Sequence, residues 1–516
     1  MKILNKINIK TFVTGLMLSL FSCLVIANVE NETRTNPIEL LYEKHGAFFD
    51  YLDYKKIDYS IKGNSIFVYD SLNLDNEYIF SLPDNLFISG KLDINPCFIK
   101  FLPNNLSVSG DLNLCNNLKS DIVSATNLSV GGNLDLSFGK VNELPDNLFV
   151  GGDLDLRRNN LYEIPDNLSV KGDLDLSENP LNYLPDNFYV GGNLHLFANN
   201  LEKLPNNLMV GGHLDVSSGI EEIPNDLFLN GELYLLGSSV NKLPEGLSVK
   251  KNLVLSRRIT ELPEHLSVGG DLNLSFGKVN KLPDNLFIGG TLKLTSSSTI
   301  ELPNNFALDG NLYLDDSNIT QLPDNLSLKG NLTLYKGKLT KLSDNLTVGG
   351  YIYLRSTQIA ALPANLSVAG DLYLYETQIT ELPNNLSLNS GLYLYKSPVT
   401  KLPDNLSVAG DLSLHETKIT EIPNDLSVGG KLDLDVKSIN NIVYRESVGA
   451  HKITLFSVFV NGEIQISIPE WDFLGNFELF EARIDKKLSE AETQEYKKAA
   501  KQCVDELIKI RDNKEL

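Results

Sequence analysis

The chain is poor in the residues that build disulfide or metal scaffolds. Its 516 residues include four Cys, six His, three Met and one Trp. Such sparse and scattered cysteines and histidines exclude a disulfide framework and a zinc-finger array. Basic residues are also scarce, with 45 Lys and Arg against 66 Asp and Glu and a net charge of −21. This charge argues against binding to nucleic acid or to an anionic membrane, because both require a basic footprint.

A long apolar run occurs only at the amino terminus. Lys2, Lys6 and Lys10 precede the apolar segment 12–27. This pattern predicts a secretory signal peptide cleaved after Ala27. Two alternatives stay open: an uncleaved anchor, although about 16 apolar residues are short for a span, and a lipoprotein attached through Cys23. No other segment could cross a bilayer, so the mature chain is predicted to be exported to the periplasm, the cell surface or the medium without a membrane span.

A twenty-residue period runs through most of the chain. Sixteen prolines that follow Leu or Ile recur between Pro83 and Pro423, and Ser124 and Ser343 fill two gaps in register. The resulting eighteen units have a mean length of 20.0 residues. A period of this length, sustained this far, is typical of a solenoid in which each unit stacks on the next. We therefore predict one elongated repeat domain rather than several globular ones.

Each unit contains two short alternating segments and no helical period. The clearest copies read Leu-Pro-Asp-Asn-Leu-Ser-Val-Gly-Gly-Asp-Leu-x-Leu. Leu-Ser-Val and Leu-x-Leu alternate with period 2, which is the pattern of half-buried strands. Gly-Gly and Pro-Asp-Asn are turn sequences. The predicted fold class is a predominantly β solenoid with two short parallel strands per coil.

Three coils carry a family resemblance. They match the pattern Leu-x-Leu-x-x-Asn-x-Leu at residues 154–161, 174–181 and 194–201, with Asn159, Asn179 and Asn199 at the asparagine position. With the following Leu-Pro or Ile-Pro, the repeat resembles leucine-rich-repeat proteins of the short bacterial LPX subclass. The resemblance implies a protein-binding solenoid and covers about 360 residues. Elsewhere the chain departs from the pattern, and hydroxyls must replace the buried asparagines or the asparagine ladder is lost; the substituted positions are Gly139, Ser317, Thr357, Thr377, Ser397 and Thr417.

Both ends of the repeat array are predicted to be capped. Residues 28–80 are rich in aromatics and lack the repeat, and we interpret them as an N-terminal cap. In residues 441–516, Asn461-Gly462 predicts a type I′ hairpin turn, and Ser489 with Glu492 predicts a capping box that opens a helix. The predicted organisation is a signal peptide over 1–27, the cap over 28–80, about 18 coils over 81–440 and a hairpin-plus-helix cap over 441–516.

The cysteines offer little chemistry. Some effectors with LPX repeats carry a ubiquitin-ligase domain with a Cys-x-Asp motif, and Cys503-Val504-Asp505 matches it. That domain is far larger than the 75 or so residues that follow the repeats, and Cys503 lies on the apolar stripe of the predicted helix, where a thiol is unreactive. Cys97 and Cys115 could form a disulfide or remain two buried thiols. No esterase, phosphate-loop or metalloprotease signature occurs, so no catalytic residue, cofactor or metal is predicted.

The outward positions of the Leu-x-Leu segment suggest a binding face. Alternation places them on one side of the sheet, one coil apart. The early coils supply carboxylates and the late coils supply tyrosines, and a divalent cation at the carboxylates is disfavoured because the column is straight. Tyrosine also favours strands, so a purely structural ladder is an open alternative. The candidate residues are Tyr313, Tyr335, Tyr353, Tyr373, Tyr375, Tyr393, Tyr395, His415, Asp135, Asp155, Asp175, His195 and Asp215.

These features predict an exported, non-enzymatic solenoid that binds a protein partner on its strand face. Two alternatives are a secreted bacterial effector that acts on a host protein and a passive envelope or surface component. A bacterial source is favoured, since a eukaryotic secretory pathway would glycosylate the many Asn-Leu-Ser sequons, such as those at Asn105, Asn325 and Asn405. Neither the identity of the partner nor the oligomeric state follows from the sequence.

Overall fold

A computed structural model of the chain describes residues 37–514, except 75–76, 95–98, 100, 115–125, 217–218, 300, 305, 385 and 487. The predicted signal peptide, Cys23, Cys97, Cys115 and Ser124 lie outside the described residues.

Two strands per coil build the repeat, as the alternation predicts. The Leu-x-Leu segments form one parallel sheet, the leucine sheet, in which each strand pairs in register with its equivalent in the next coil. Its two end strands each pair on one side only, so the sheet is open. Its strands are Leu72–Asn73, Leu92–Ile94, Leu112–Leu114, Leu134–Asp135, Leu154–Asp155, Leu174–Asp175, Leu194–Leu196, Leu214–Val216, Leu233–Tyr234, Leu253–Val254, Leu272–Asn273, Leu292–Lys293, Leu312–Tyr313, Leu332–Tyr335, Ile352–Arg355, Leu372–Tyr375, Leu392–Tyr393, Leu412–Ser413 and Leu432–Asp433.

The Ser-Val segments form a second set of parallel strands, the valine sheet, on the other side of the core. This ladder is interrupted three times, after residues 229, 288 and 368, whereas the leucine sheet is continuous. Its strands are Ser65–Val68, Leu86–Ile88, Ser107–Val108, Ser129–Val130, Phe149–Val150, Ser169–Val170, Tyr189–Val190, Met209–Val210, Phe228–Leu229, Ser248–Val249, Ser267–Val268, Phe287–Ile288, Ala307–Leu308, Ser327–Leu328, Thr347–Val348, Ser367–Val368, Ser387–Leu388, Ser407–Val408 and Ser427–Val428.

One continuous core runs the length of the repeat. The leucines of each Leu-x-Leu pair and the valines of the facing strand are buried, as Leu174, Leu176 and Val170 illustrate with 0–1% exposure. Each coil stacks its apolar residues on their equivalents about 4.8 Å away. The fold is therefore a β-solenoid, as predicted.

The Gly-Gly-Asp turn has a specific role in the stacking of coils. Asn133 Oδ1 accepts a hydrogen bond from the Asp153 backbone N–H (2.8 Å), and Asp153 Oδ1 accepts one from the Asp173 N–H (2.8 Å). A Cβ on Gly152 would lie 2.0 Å from Asn133 Oδ1. The second glycine of the pair is therefore required, because the side chain of the preceding coil occupies its Cβ position.

The N-terminal region begins with helix α1, Pro37–Lys55, followed by the antiparallel strands β1, Tyr59–Lys62, and β2, Ser65–Val68. Phe48, Phe49 and Leu52 of α1 are buried in the solenoid core. Strand β2 also pairs in parallel with Leu86–Ile88 of the valine sheet. The parallel sheets thus start inside residues 28–80, earlier than the sequence period indicates, because these first strands precede the first Leu-Pro pair.

The C-terminal region contains the predicted hairpin and helix together with elements that the sequence analysis missed. Strands β3 (Val443–Val448), β4 (Ile453–Val460), β5 (Glu463–Ile468) and β6 (Phe473–Gly475) form an antiparallel sheet in that order. Pro469–Trp471 forms a 3₁₀ turn, and the helices are α2, Phe477–Asp485, and α3, Glu490–Lys514.

The predicted local signals of this region are present. Glu492 accepts hydrogen bonds from the Ser489 N–H and hydroxyl (3.1 and 2.6 Å), and the first of these is one of the two bonds of a capping box at the start of α3. Asn461 and Gly462 have φ of 56° and 77°, as a type I′ turn requires. Tyr496, Ala500, Cys503 and Leu507 are buried along one face of α3.

Asn461 also closes the last coil. Its side-chain oxygen accepts the Val428 N–H, and its side-chain amide donates to the Val428 carbonyl (2.8 Å each). The Ser467 hydroxyl donates to the Leu432 carbonyl of the leucine sheet (3.0 Å). These side chains take the place of a further strand and satisfy the backbone edge that a solenoid otherwise leaves open.

Candidate protein-binding face

The outward residues of the leucine sheet differ along the solenoid. We call residues 131–230 the acidic half and residues 301–420 the tyrosine half. The acidic half contains 16 acidic and 5 basic residues, whereas the tyrosine half contains 12 and 8. The coils of the acidic half therefore carry a much larger negative net charge than those of the tyrosine half.

Five of the predicted tyrosines lie in one cluster in the tyrosine half. Tyr373 stacks on Tyr393 with ring centroids 4.7 Å apart and an interplanar angle of 16°. Tyr353 and Tyr375 pack edge-to-face (5.8 Å), as do Tyr375 and Tyr395 (6.0 Å). The register of the parallel strands places these rings one coil apart, at a spacing suited to aromatic contact. These tyrosines therefore lie on one face and contact one another in a chain.

The tyrosine cluster is held in place from below. The Tyr373 hydroxyl donates to Asp371 Oδ2 (2.8 Å), and Asp371 also accepts hydrogen bonds from the Gly391 N–H (2.7 Å) and the Ser390 hydroxyl. Gly391 leaves space for the Tyr393 ring, because a Cβ at that position would lie 2.6 Å from it. Burial, with the nearby carboxylates Asp371 and Asp411, raises the pKa of Tyr393 to about 12. The Tyr393 phenol therefore remains a neutral hydrogen-bonding group at physiological pH.

Cations border the cluster. The Arg355 guanidinium lies 5.8 Å from the ring centroid of Tyr335, and the Lys336 ammonium lies 4.8 Å from the same centroid. Lys396 lies 5.0 Å from the centroid of Tyr395. Such cation–π contacts are modest at exposed sites, of the order of 0.5–1 kcal/mol. They leave a surface that combines aromatic edges, hydroxyls and positive charge.

Tyr313, Tyr335 and His415 lie on the same face but beyond this chain of ring contacts. Thr333 separates Tyr313 from Tyr353 in the column. His415 lies between Asp433 (2.7 Å) and Asp435 (3.0 Å). Burial opposes its protonation, but the two carboxylates outweigh burial and raise the pKa of His415. At mildly acidic pH this histidine is an additional cation at the edge of the face.

The acidic half presents a column of carboxylates that is partly neutralised. Arg157 pairs with Asp155 (2.6 Å) and approaches Asp175 (3.4 Å). Hydrogen bonding to Asp155 raises the pKa of the Arg157 guanidinium. Asp215 lies 3.9 Å from His195 and raises the pKa of that imidazole. Asp135 pairs in register with Asp155 on the neighbouring strand.

Sequence reasoning missed two contributors to this face. Arg157 follows the second leucine of its strand, where alternation alone would have placed it beside the aspartate column. Tyr351 precedes the first strand residue of its coil and packs edge-to-face on Tyr373 (6.2 Å). A search for aromatic and charged residues at the positions flanking Leu-x-Leu would have found both.

The chemistry of Cys503 is that of a core residue. Its side chain is fully buried on α3, and burial raises the pKa of the thiol to about 11. A thiol that stays protonated at neutral pH is a poor nucleophile. Across the part of the chain that the structure describes, no cluster of three or more His, Cys, Asp or Glu side chains is arranged to hold a metal ion. None of the described helices combines the length and apolar character needed to span a membrane.

Comparison with known proteins gives similarity to solved structures alone. No protein-family model and no curated protein matches the chain. In structure it is similar to YopM from Yersinia enterocolitica WA-314, with 20% identity, 84% of this chain and 98% of that chain covered, and a TM-score of 0.34. It is also similar to the leucine-rich effector protein YopM from Yersinia pestis, with 18% identity and a TM-score of 0.23. That match covers 76% of this chain and 92% of the Yersinia pestis chain. The 20-residue coils, the in-register parallel strands and the Leu-x-Leu pattern give the chain the fold of a leucine-rich-repeat solenoid.

Proposed function

We propose that the protein is an exported, non-enzymatic binding solenoid and that the outer face of its leucine sheet engages a protein partner through the tyrosine cluster. The observation that carries the proposal is the chain of ring contacts from Tyr353 to Tyr395, supported by Asp371 and Gly391. Export depends on the predicted signal peptide with cleavage after Ala27, and N-terminal sequencing of the secreted protein would test it.

Tyrosine suits this role for energetic reasons. Binding hot spots are enriched in Tyr, Trp and Arg, which bury a large area at a small cost in side-chain entropy. In this cluster the rings already contact one another, so little conformational freedom remains to be lost on binding. The stacked faces of Tyr373 and Tyr393 cover each other, which leaves ring edges and hydroxyls for the partner. Ring edges and hydroxyls suit the carbonyl and carboxylate groups of a protein surface.

The test is a binding comparison between the wild-type protein and a variant in which Tyr373, Tyr375, Tyr393 and Tyr395 are replaced by Ser. Each lost anchor typically costs about 1–2 kcal/mol, so the four together should weaken binding more than 100-fold. The matched control replaces the exposed tyrosines Tyr162, Tyr183 and Tyr189, which lie outside the face. Partners are captured from envelope and host extracts and identified by mass spectrometry. A variant that is folded by circular dichroism yet retains every partner would contradict the proposal and leave the tyrosines a structural ladder.

The carboxylates of the acidic half have a secondary role in this proposal. Replacing Asp135, Asp155, Asp175 and Asp215 by Asn should slow association at low salt and have little effect at high salt, because screening removes long-range steering. The control makes the same charge change on turn residues, at Asp146, Asp166, Asp186 and Asp226. Equal effects of the two variants on the association rate would show that net charge, and not this face, steers the partner.

A further inference from the structure

A cleft of about 570 Å³ lies between the last coils and helix α3. Its volume falls within the range of about 300–1,000 Å³ that is common for small-molecule sites. One wall is the turn column of the last coils, and the other is the carboxyl-terminal part of α3 with strand β4. The residues used below are Lys401, Thr420, Ile422, Phe459, Leu507, Ile510 and Arg511.

Arg511 gives the cleft its chemistry. Its guanidinium lies 3.8 Å from the centroid of the Phe459 ring, at stacking distance. Within the described residues it forms no ion pair, in contrast to Arg445 on the facing strand, which pairs with Glu506 (2.5 Å). A guanidinium stacked on an aromatic face keeps its N–H edge available, and that edge matches a carboxylate with two parallel hydrogen bonds.

The remaining lining is compatible with an amphipathic ligand. Ile422 and Leu507 are buried, and Phe459 and Ile510 are half-buried, which provides an apolar floor. Lys401 lies across the cleft and pairs with Asp404 at 3.8 Å, so this carboxylate is already compensated. Glu421 also lines the cleft and has an interaction within the chain. Arg511, which forms no ion pair among the described residues, therefore lies beside these apolar side chains.

We infer that this cleft binds a small amphipathic carboxylate, with its acid group on Arg511 and its apolar body on Phe459 and Ile510, above the buried Ile422 and Leu507. The carboxylate could belong to a fatty acid or to the free end of a hydrophobic peptide, which share this chemistry. The site is separate from the leucine-sheet face and does not depend on the function proposed for that face.

The test uses the full chain and isothermal titration calorimetry with two probes, decanoate and N-acetyl-Leu-Phe, and with decanol as an uncharged comparison. We expect one saturable site for at least one acid, with decanol bound at least about tenfold more weakly. Arg511→Gln should weaken acid binding about tenfold or more. The matched control is Arg257→Gln, since Arg257 also lies over an aromatic ring, Phe276 (5.8 Å), but does not line the cleft.

A second variant keeps the test independent of Arg511. Thr420 lines the cleft and is exposed, so Thr420→Trp should fill the space without disturbing the core and abolish binding of either acid. Whichever acid binds identifies the source of the carboxylate. The inference is wrong if neither acid saturates the wild-type protein below about 1 mM, or if Arg511→Gln or Thr420→Trp binds as the wild type does.

Discussion

The buried turn of the coil is built differently in the two halves of the solenoid. In the acidic half Asn159 and Asn179 occupy it, whereas in the tyrosine half the equivalents include Ser317, Thr357 and Ser397. Asn179 donates to the carbonyls of two coils and accepts a backbone N–H, so its side chain links neighbouring coils. The Ser397 hydroxyl donates to the Leu374 carbonyl, but the buried hydroxyls of Ser317 and Thr357 have no partner among the described residues.

On the outer face of the leucine sheet, the more favourable contacts between neighbouring strands lie in the tyrosine half. Carboxylates in the acidic half repel one another across neighbouring strands, by roughly 1 kcal/mol for unit charges 5 Å apart in water. Tyrosines in the tyrosine half attract, since each cross-strand aromatic pair contributes a few tenths to about 1 kcal/mol. The coils of Ser317 and Thr357 thus combine unpartnered buried hydroxyls with the stronger outer ladder, although in the acidic half the Asn199 amide nitrogen also has no partner among the described residues. The two halves have the same backbone geometry because the leucine core is common to both. They differ in the side chains that support the buried turn and the outer face.

The largest difference between the two halves is expected in the free energy of unfolding when a buried amide is removed. Asn179→Ala leaves the Leu161 N–H and the Leu176 carbonyl without their buried partner and removes one of two amide donors to the Leu156 carbonyl. We expect a loss of about 2–4 kcal/mol in the free energy of unfolding. Ser317→Ala, at the equivalent position of the tyrosine half, should cost less than about 1 kcal/mol, since the Ser317 hydroxyl has no partner in the described part of the chain. Urea unfolding followed by circular dichroism measures both. Equal losses would show that the amide network does not distinguish the halves.

The tyrosine ladder can be disturbed without touching a tyrosine. In Gly391→Ala the new Cβ would lie 2.6 Å from the Tyr393 ring, so the ring must move off Tyr373, at a cost of about 1 kcal/mol. Near-ultraviolet circular dichroism should report the change in ring packing. The control is a double-mutant cycle in which Gly391→Ala is made in a Tyr393→Ser background, where it should be nearly neutral. A full loss of stability in that background would mean that the backbone, not the ring, requires glycine.

An unpartnered hydroxyl in the tyrosine half offers a stabilising change. Thr357 is 2% exposed and its Oγ1 has no described partner, so Thr357→Val should raise the free energy of unfolding by about 1 kcal/mol. Thr299→Val is the matched control, because the Thr299 hydroxyl donates to the Val279 carbonyl (2.8 Å) and its loss should destabilise. The expected result is a rise in the urea midpoint for the first variant and a fall for the second. Destabilisation by both would show that the Thr357 hydroxyl is satisfied in solution.

The sequence period predicts the coils, the two strands per coil and the inward leucines, because these depend on spacing alone. What it cannot predict depends on distances of an ångström or less. Small displacements of the turn decide whether the hydroxyl of Thr357 or Ser397 donates a hydrogen bond to a backbone carbonyl. The stacking of Tyr393 on Tyr373 depends on the space above Gly391, and a sequence pattern does not contain that information. Helix α2 was missed because only Phe480 and Ile484 of its nine residues are buried, too few for a clear helical stripe.

The smallest expected effect lies at the end of the tyrosine half and depends on pH. Burial lowers the pKa of His415 in the folded protein, but hydrogen bonds and charge from Asp435 and Asp433 outweigh burial, so the pKa is raised. A raised folded pKa means that protonation stabilises the fold; the gain is full below the unfolded value of about 6.5 and is lost as the pH rises through the folded pKa. The imidazole is 39% exposed, so solvent screening limits the gain to a few tenths of a kcal/mol. The melting temperature of the wild type should therefore exceed that of His415→Gln by more at pH 5.5 than at pH 8.5. His265→Gln, at an exposed turn, is the control, and the same pH-dependent difference in that variant would assign the effect to net charge instead of the Asp433–His415–Asp435 contact.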